Sequence, residues 1–395
     1  MIRKRISIFL TVLTGICLLL NGCSKGPLDK LLSNDLPAFN DDLQLEHLLT
    51  GAVRQLHYLN TLPDDTSLTL GSDTYPITWM RESMNSFIDI LKQDPSADEL
   101  ARIIAENYTS YQAAGRDEHP RGEMLITGYY EPLLRGSLHK EAPYLYPLYS
   151  PPDSLLRIKD ATTGTLIVKR RDKNNQYVPY WTRQEIETEG IADGNELVYL
   201  DDPVDAFILH VQGSGKIQLP DGTLRSIHIA SSNGREYFSI GKLLVDQGKM
   251  SLEEASIPSI RTYLQQHPDE QSEILNHNTR YIFFNWAPDG DPIGNLGEQL
   301  VAGRSIAIDP EVLPQTTLAF LISTKPLLDK DGVITEWVPI HRFVFPQDTG
   351  SAIKGSGRAD LFWGNGNYAK TAAGSMKAEG TLYFLVKNNF EKQDQ

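Results

Sequence analysis

The chain has 395 residues, 40% of them hydrophobic and 22% charged, an ordinary globular composition with material for two or three domains. Its formal charge of −14 argues against nucleic acid as a partner, because phosphates need a basic surface. Neither number bears on the fold.

In chain order, Arg3, Lys4 and Arg5 form a positive opening, followed by the largely apolar run Ile6 to Leu20. Such a run is too short for a comfortable membrane span and suits a secretory signal. It ends in Leu20-Asn21-Gly22-Cys23, which resembles the lipobox of bacterial lipoproteins, although Asn21 is not the usual small residue. That resemblance implies cleavage after residue 22 and a lipid on Cys23. Ser24 resembles the residue that sorts lipoproteins to the outer membrane, facing the periplasm; ordinary signal cleavage near residue 22 is the alternative. Loss of the three leader cations would take the charge from −14 to −17. No cysteine follows Cys23, so the exported part must be held by its core alone.

Residues 23–42 are polar, carry Pro27 and Pro37, and read as a tether. Apolar residues at 43, 45, 48, 49, 53 and 56 predict a helix over Leu43 to Leu59. Ile77 to Leu91 predicts a second, and the capping box Ser96-Ala97-Asp98-Glu99 opens a third. From Met124 to His228 the texture becomes short β-rich runs ("MLITGYY", "LIVKRR", "LVYL", "AFILHVQG", "KIQL", "RSIHIA") broken by turn residues, as in a barrel or sandwich. Helices return at Ser239 to Gln247, with Gly248 behind it, and near Leu252–Gln265 and Pro268–Leu275. Arg280 to Val386 is again strand-like. This α, β, α, β succession predicts a mainly β fold with helices, one β module inserted into another.

Asp348-Thr349-Gly350-Ser351 matches the active-site tetrapeptide of pepsin-like proteases, but those need two such elements and the chain has one. The nine His are scattered without metal-ligand spacing, so no metal site is predicted. His210, His228 and His341 fall in predicted strands as structural residues. "VQGSGKI" lacks the nucleophile elbow of serine hydrolases, and there is no phosphate loop. Carboxylate chemistry remains, and glycoside cleavage is its commonest form.

Six motifs then occur in order: "TGYYEP" (Thr127–Pro132), "YWTRQEIE" (Tyr180–Glu187), "VQGSGKI" (Val211–Ile217), "NGREYFSIGK" (Asn233–Lys242), "GRSIAIDP" (Gly303–Pro310) and "QDTGSAIKGSGRADLFWG" (Gln347–Gly364). Together they resemble the membrane-bound lytic murein transglycosylase A family. The resemblance implies a double-psi β-barrel domain built from residues 43–128 and 237–390, and a second β-barrel domain, 129–236, inserted into it. It also implies a groove between them for a peptidoglycan glycan strand, no cofactor, and other cell-wall enzymes as possible neighbours.

The family's three C-terminal aspartates match Asp309, Asp348 and Asp360, and Asp360 takes the place of its single catalytic acid/base. Burial beside Leu361, Phe362 and Trp363 would raise its pKa as that role requires. Asp348 supports a tight turn or touches substrate, and Asp309, before Pro310, is a structural support. Glycan-binding candidates are Thr127, Tyr129 and Tyr130 in the first motif, Gln212, Ser214 and Lys216 in the third, and Asn233 and Tyr237 in the fourth. Gly213 and Gly215 either admit the sugar to the backbone or serve as barrel turns. Arg183, with Glu185 close by, reads as a structural ion pair. Two segments depart from the family pattern: Pro314-Gln315-Thr316-Thr317, where Pro-Leu-Gly-Thr is usual, and the Glu298-Gln299 pair in Asn295–Leu300.

Overall fold

The computed structural model describes residues 26–160, 164–288, 290 and 292–388; the leader, the lipobox and Cys23 lie outside the described residues. Strand β1 (Leu28–Lys30) comes first, followed by helix α1 (Leu48–Thr61), the hairpin β2 (Ser67–Leu70) and β3 (Asp73–Pro76), and helices α2 (Ile77–Leu91) and α3 (Ala97–Asn107). Helix α2 has the bounds its apolar spacing predicts. Helix α1 starts later than predicted, because Gln44, Leu45 and His47 adopt positive φ and cannot continue a helix. Ser96 caps α3 by accepting the Glu99 N–H at 3.2 Å. Strand β4 (Tyr108–Ala113) then pairs with β1, and Leu28, Phe39 and Asp41 are buried. The stretch read as a tether is therefore folded from Leu28 onward.

The middle of the chain supplies strands β5 (Met124–Glu131), β6 (Leu133–Ser137), β7 (Tyr146–Tyr149), β8 (Leu156–Lys159), β9 (Leu166–Arg171) and β10 (Tyr177–Pro179). Helix α4 (Arg183–Thr188), strand β11 (Glu196–Leu200), helix α5 (Pro203–Gln212), and strands β12 (Ser214–Gln218) and β13 (Leu224–Ser232) follow. Helices α6 (Ile240–Asp246), α7 (Ile257–Gln266) and α8 (Pro268–His277) lead to β14 (Ile282–Ala287). One sheet runs β14-β13-β12-β6-β11-β7, and β8, β9 and β10 form a separate meander. Because β14 pairs with β13, this module reaches beyond the boundary drawn at residue 236.

Helix α5 corrects the reading of "AFILHVQG" as a strand. A wholly apolar run has no period to betray its structure, so its ends decide. Asp202 caps the N–H groups of Val204 and Asp205, Pro203 occupies the first turn, and Gly213 stops the helix at φ 81°. Helix α7 likewise begins only at Ile257, where Ser256 caps it.

The last part contains β15 (Ser305–Ala307), β16 (Leu318–Leu328), β17 (Ile334–Asp348), β18 (Arg358–Asn365), helix α9 (Gly366–Ser375) and β19 (Lys377–Lys387). Six strands close into a ring, β19-β16-β17-β15-β18-β5 and back to β19. Closure leaves these strands no free edge. The pairs β15/β17 and β18/β5 are parallel and the other four antiparallel. Phe39, Phe87, Phe320 and Phe343 interlock in the main core between this barrel and the N-terminal helices. Each such ring contributes about 1.5–3 kcal/mol through burial. Helix α9 has little apolar periodicity and seats Ala369, Ala372 and Ala373 in the same core.

Candidate active site

Strand pairing brings the acids together. Ala307 on β15 lies opposite Asp348 on β17 and also opposite Asp360 on β18, and Thr127 on β5 lies opposite Asp360. Directly opposed residues share a face of a sheet, so both carboxyls project to the same side with a small alanine between them. Two strand spacings separate their backbones by about 10 Å. A register shift between Ile306 and Ala307 sets Asp348, rather than Gln347, beside Ala307.

The β17–β18 connection, residues 349–357, is anchored by Asp309. Its Oδ2 accepts the Gly355 N–H at 2.8 Å and its Oδ1 the Glu311 N–H at 3.3 Å. Burial alone would raise the Asp309 pKa, but these donors and Lys354 outweigh it and hold the carboxyl below its ordinary value. Asp309 is buried and does not line the cleft described next.

A cleft of about 740 Å³ runs between the barrel and the α5–α7 region. Asp348, Asp360, Thr127, Tyr129, Gln212 and Tyr237 all line it. Burial pushes Asp360 up to about 6; Thr127 and Arg358 pull in the other direction, and the Asp348 charge adds a little upward. Among the described residues, Asp360 Oδ1 and Thr127 Oγ1 are both buried without a hydrogen-bond partner, so Thr127 favours the carboxylate by proximity rather than by a formed bond.

Asp348 is held differently. Its Oδ2 accepts from the Tyr129 hydroxyl at 2.9 Å and its Oδ1 from the Asn295 N–H at 3.0 Å. Burial raises its pKa, and the Thr349, Tyr129 and Asn295 donors offset this only in part. Burial keeps the Tyr129 hydroxyl protonated as a donor, and its ring packs against Phe362 at 5.2 Å. The two departing segments meet behind this acid. Gln315 Nε2 donates to the Asp348 carbonyl at 3.2 Å, and its Oε1 accepts from Asn295 Nδ2 at 3.4 Å.

The other candidates belong to the frame around the cleft. Tyr130 is buried in the main core, and its N–H donates to Gln212 Oε1 at 3.2 Å. Gly213 terminates α5, and a side chain at Gly215 would collide with Leu209 and Pro132. Ser214 pairs with His228 across β12 and β13, and Lys216 Nζ lies 3.4 Å from the buried Glu131. Asn233 is fully engaged, donating to the Trp181 and Thr279 carbonyls and accepting from the Tyr281 and Arg235 N–H groups. Arg183 pairs with Glu187 at 2.9 Å, one helical turn on, while Glu185 completes a capping box with Thr182.

Other polar residues of the cleft were not anticipated as part of it, among them His210, Arg280 and Arg358. His210 Nδ1 accepts the Ile282 N–H at 3.0 Å, and burial holds its pKa well below 6.5, so it is a neutral imidazole with its proton on Nε2. Arg280 and Arg358 also line the cleft. Arg358 was legible in principle: it lies two residues before Asp360 on a strand and so shares its face. His210 and Arg280 carried no such signal.

A closed barrel meeting a second β module, with a carboxyl of raised pKa in the cleft between them, defines a two-module, carboxyl-centred β protein. Residues 125–285 match the MltA specific insert domain and residues 304–386 the 3D domain. Two curated relatives, both named membrane-bound lytic murein transglycosylase A, come from Escherichia coli K12 and Vibrio cholerae. The first is 30% identical over 278 residues, covering 70% of this chain and 68% of its own; the second is 31% identical over 289 residues, covering 71% and 70%. A membrane-bound lytic murein transglycosylase from Agrobacterium tumefaciens superposes with a TM-score of 0.73 at 28% identity, covering 91% of this chain and 97% of its own. E. coli MltA with bound chitohexaose gives 0.69 at 25% identity, covering 92% and 96%. The chain belongs to the membrane-bound lytic murein transglycosylase A family.

Proposed function

We propose that this protein is a peptidoglycan lytic transglycosylase that cleaves the MurNAc-β-1,4-GlcNAc bond with Asp360 as its single acid/base. The observation that carries the reading is one cleft carboxyl raised to about 6 with an unpartnered oxygen, beside a second whose oxygens are both hydrogen-bonded. Protonated Asp360 gives its proton to the GlcNAc O4 as the C1–O4 bond breaks. The resulting carboxylate takes the proton of the C6 hydroxyl of the same MurNAc, whose oxygen bonds to C1. The product is a 1,6-anhydro sugar, and Asp360 ends as it began. Because the nucleophile belongs to the substrate, no second catalytic carboxyl is needed. Asp348 orients Tyr129 and the 349–357 loop, and Thr127, Gln212 and Tyr237 supply polar contacts to the strand. Chitohexaose in a relative's structure supports a glycan in this cleft.

Hydrolysis on the same fold is the second reading, favoured by the proximity of Asp348, since an inverting hydrolase keeps its carboxyls about 6.5–9.5 Å apart. Mass spectrometry of digested sacculi separates the two: anhydromuropeptides support transglycosylation, reducing muropeptides hydrolysis, and neither product a non-catalytic glycan-binding scaffold. Anhydro product that persists in Asp360→Asn would overturn the assignment of Asp360. The double-psi connectivity and the inserted-domain division belong to this proposal, with the outgoing boundary moved to the end of β14. So does a lipid on Cys23 that holds the protein to the outer membrane, facing the periplasm. Among the described residues no helix is long and apolar enough to cross a membrane. Loss of palmitate labelling in Cys23→Ala would support that anchor, and unchanged labelling would refute it.

A further inference from the structure

We propose that Arg280 and Arg358 form a carboxylate-binding subsite beside Asp360, one that reads the acid group carried by the substrate's MurNAc units. The inference rests on the peptidoglycan reading above. Arg358 projects from the same face of β18 as Asp360, and Arg280 lines the same cleft from the segment that enters β14. The Arg280 backbone is fixed by its N–H donating to Asn278 Oδ1 at 3.2 Å.

Neither of these two has an ion-pair partner within 4.0 Å among the described residues, although Arg358 is close enough to Asp360 to lower its pKa. The chain has 51 acidic residues against 37 Lys and Arg, and several cations in and around the cleft are neutralised by them, whereas Lys377 meets only the Leu252 carbonyl. Arg261 pairs with Asp202 and Asp205, Arg183 with Glu187, and Lys242 with Asp246. Among the described residues, Arg358 Nε is buried without a hydrogen-bond partner, and the Arg280 guanidinium makes one 3.5 Å contact, with the Arg235 carbonyl. Burial already lowers the Arg280 pKa, which marks a cation short of compensation.

An unpaired guanidinium in a cleft presents a planar fork of donors that fits a carboxylate, and it discriminates strongly against a neutral ligand. The sugar backbone of a glycan strand is uncharged. Its acids hang from the C3 lactyl ether of MurNAc, as the free lactyl carboxylate of a denuded strand or as the carboxylates of a stem peptide. A subsite for that group would set MurNAc, rather than GlcNAc, with its C1 over Asp360. Arg280 and Arg358 are thus specificity residues for which sugar is cut.

The test is binding calorimetry at pH 7 on the detergent-solubilised full chain carrying Asp360→Asn, so that no substrate is consumed. Three probes are compared: amidase-denuded glycan strands, peptide-bearing strands, and neutral chitohexaose. Arg280→Gln and Arg358→Gln are each expected to weaken a carboxylate-bearing strand roughly tenfold or more beyond any loss for chitohexaose. A deficit already present with denuded strands assigns the lactyl carboxylate, and one confined to peptide-bearing strands assigns the stem peptide. Equal losses for charged and neutral probes would overturn the subsite. If a Gln variant fails to fold, Arg→Lys at the same position keeps the charge, removes the fork, and is judged by the same ratio. Failure of the Asp360→Asn parent to bind any of the three probes would instead sink the glycan reading itself.

Discussion

A carboxyl that titrates near 6 instead of 3.8 holds its proton more tightly in the folded chain than in the unfolded one. Between those two values the folded state binds the extra proton, so stability falls as pH rises through the window. The cost is absent below about pH 3.8 and complete above about pH 6, on the order of 3 kcal/mol. Asp360→Asn removes the titration, so its melting temperature should exceed that of the parent at pH 7.5 and converge with it by pH 4. Unchanged melting across that range would contradict the raised pKa. The neighbouring acid should behave otherwise. Asp348→Asn and Tyr129→Phe remove supporting hydrogen bonds and should lower kcat roughly 10–100-fold. Asp360→Asn should lower it by about 10³ or more, as expected for loss of general acid–base catalysis. Steady-state release of anhydromuropeptides measures both, and equal losses would dissolve the distinction between the two acids.

The connection between β17 and β18 is shaped by an acid from outside it. Asp309→Ala leaves the Gly355 N–H without its acceptor, at a cost of about 1–3 kcal/mol. The loop that follows Asp348 should then loosen, and limited proteolysis is expected to cut within residues 349–357 in the variant but not in the parent. This contact was half legible. "IDP" marked Asp309 as a support, but its partner 46 residues away could not be read from it. Helix α5 shows the opposite case: Asp202, Pro203 and Gly213 were all visible as helix ends, yet the apolar run between them was read as a strand.

The N-terminal segment is joined to the barrel by buried charge. Arg304 Nη2 donates to Asp41 Oδ1 at 2.9 Å with both side chains fully buried, and Arg342 and Lys325 together hold Asp42. Asp41→Ala would leave Arg304 as an uncompensated buried cation, so a loss of about 3–5 kcal/mol is expected in urea unfolding. A change within about 0.5 kcal/mol, the usual effect at a free surface position, would return this stretch to the status of a tether. Polar composition suggested a tether, but Asp41 is polar because of what it meets 263 residues later.

By itself the sequence determined what is encoded within a few neighbouring residues. The apolar period of α2, the Ser96 cap of α3, the turn-punctuated strands and the ordered motifs that single out Asp360 all belong to that class. Tertiary structure decided which side chains share the cleft. Thr127, Ala307, Asp348 and Asp360 come into one row only because β5, β15, β17 and β18 pair as the barrel closes, and a single register shift chooses Asp348 over Gln347. The same closure placed Tyr130 in the core and Arg358 in the cleft, while the packing of the second module beside the barrel brought His210 and Arg280 there. Side-chain facing in a sheet changes with every one-residue slip, so it depends on pairing between distant segments that no local pattern specifies.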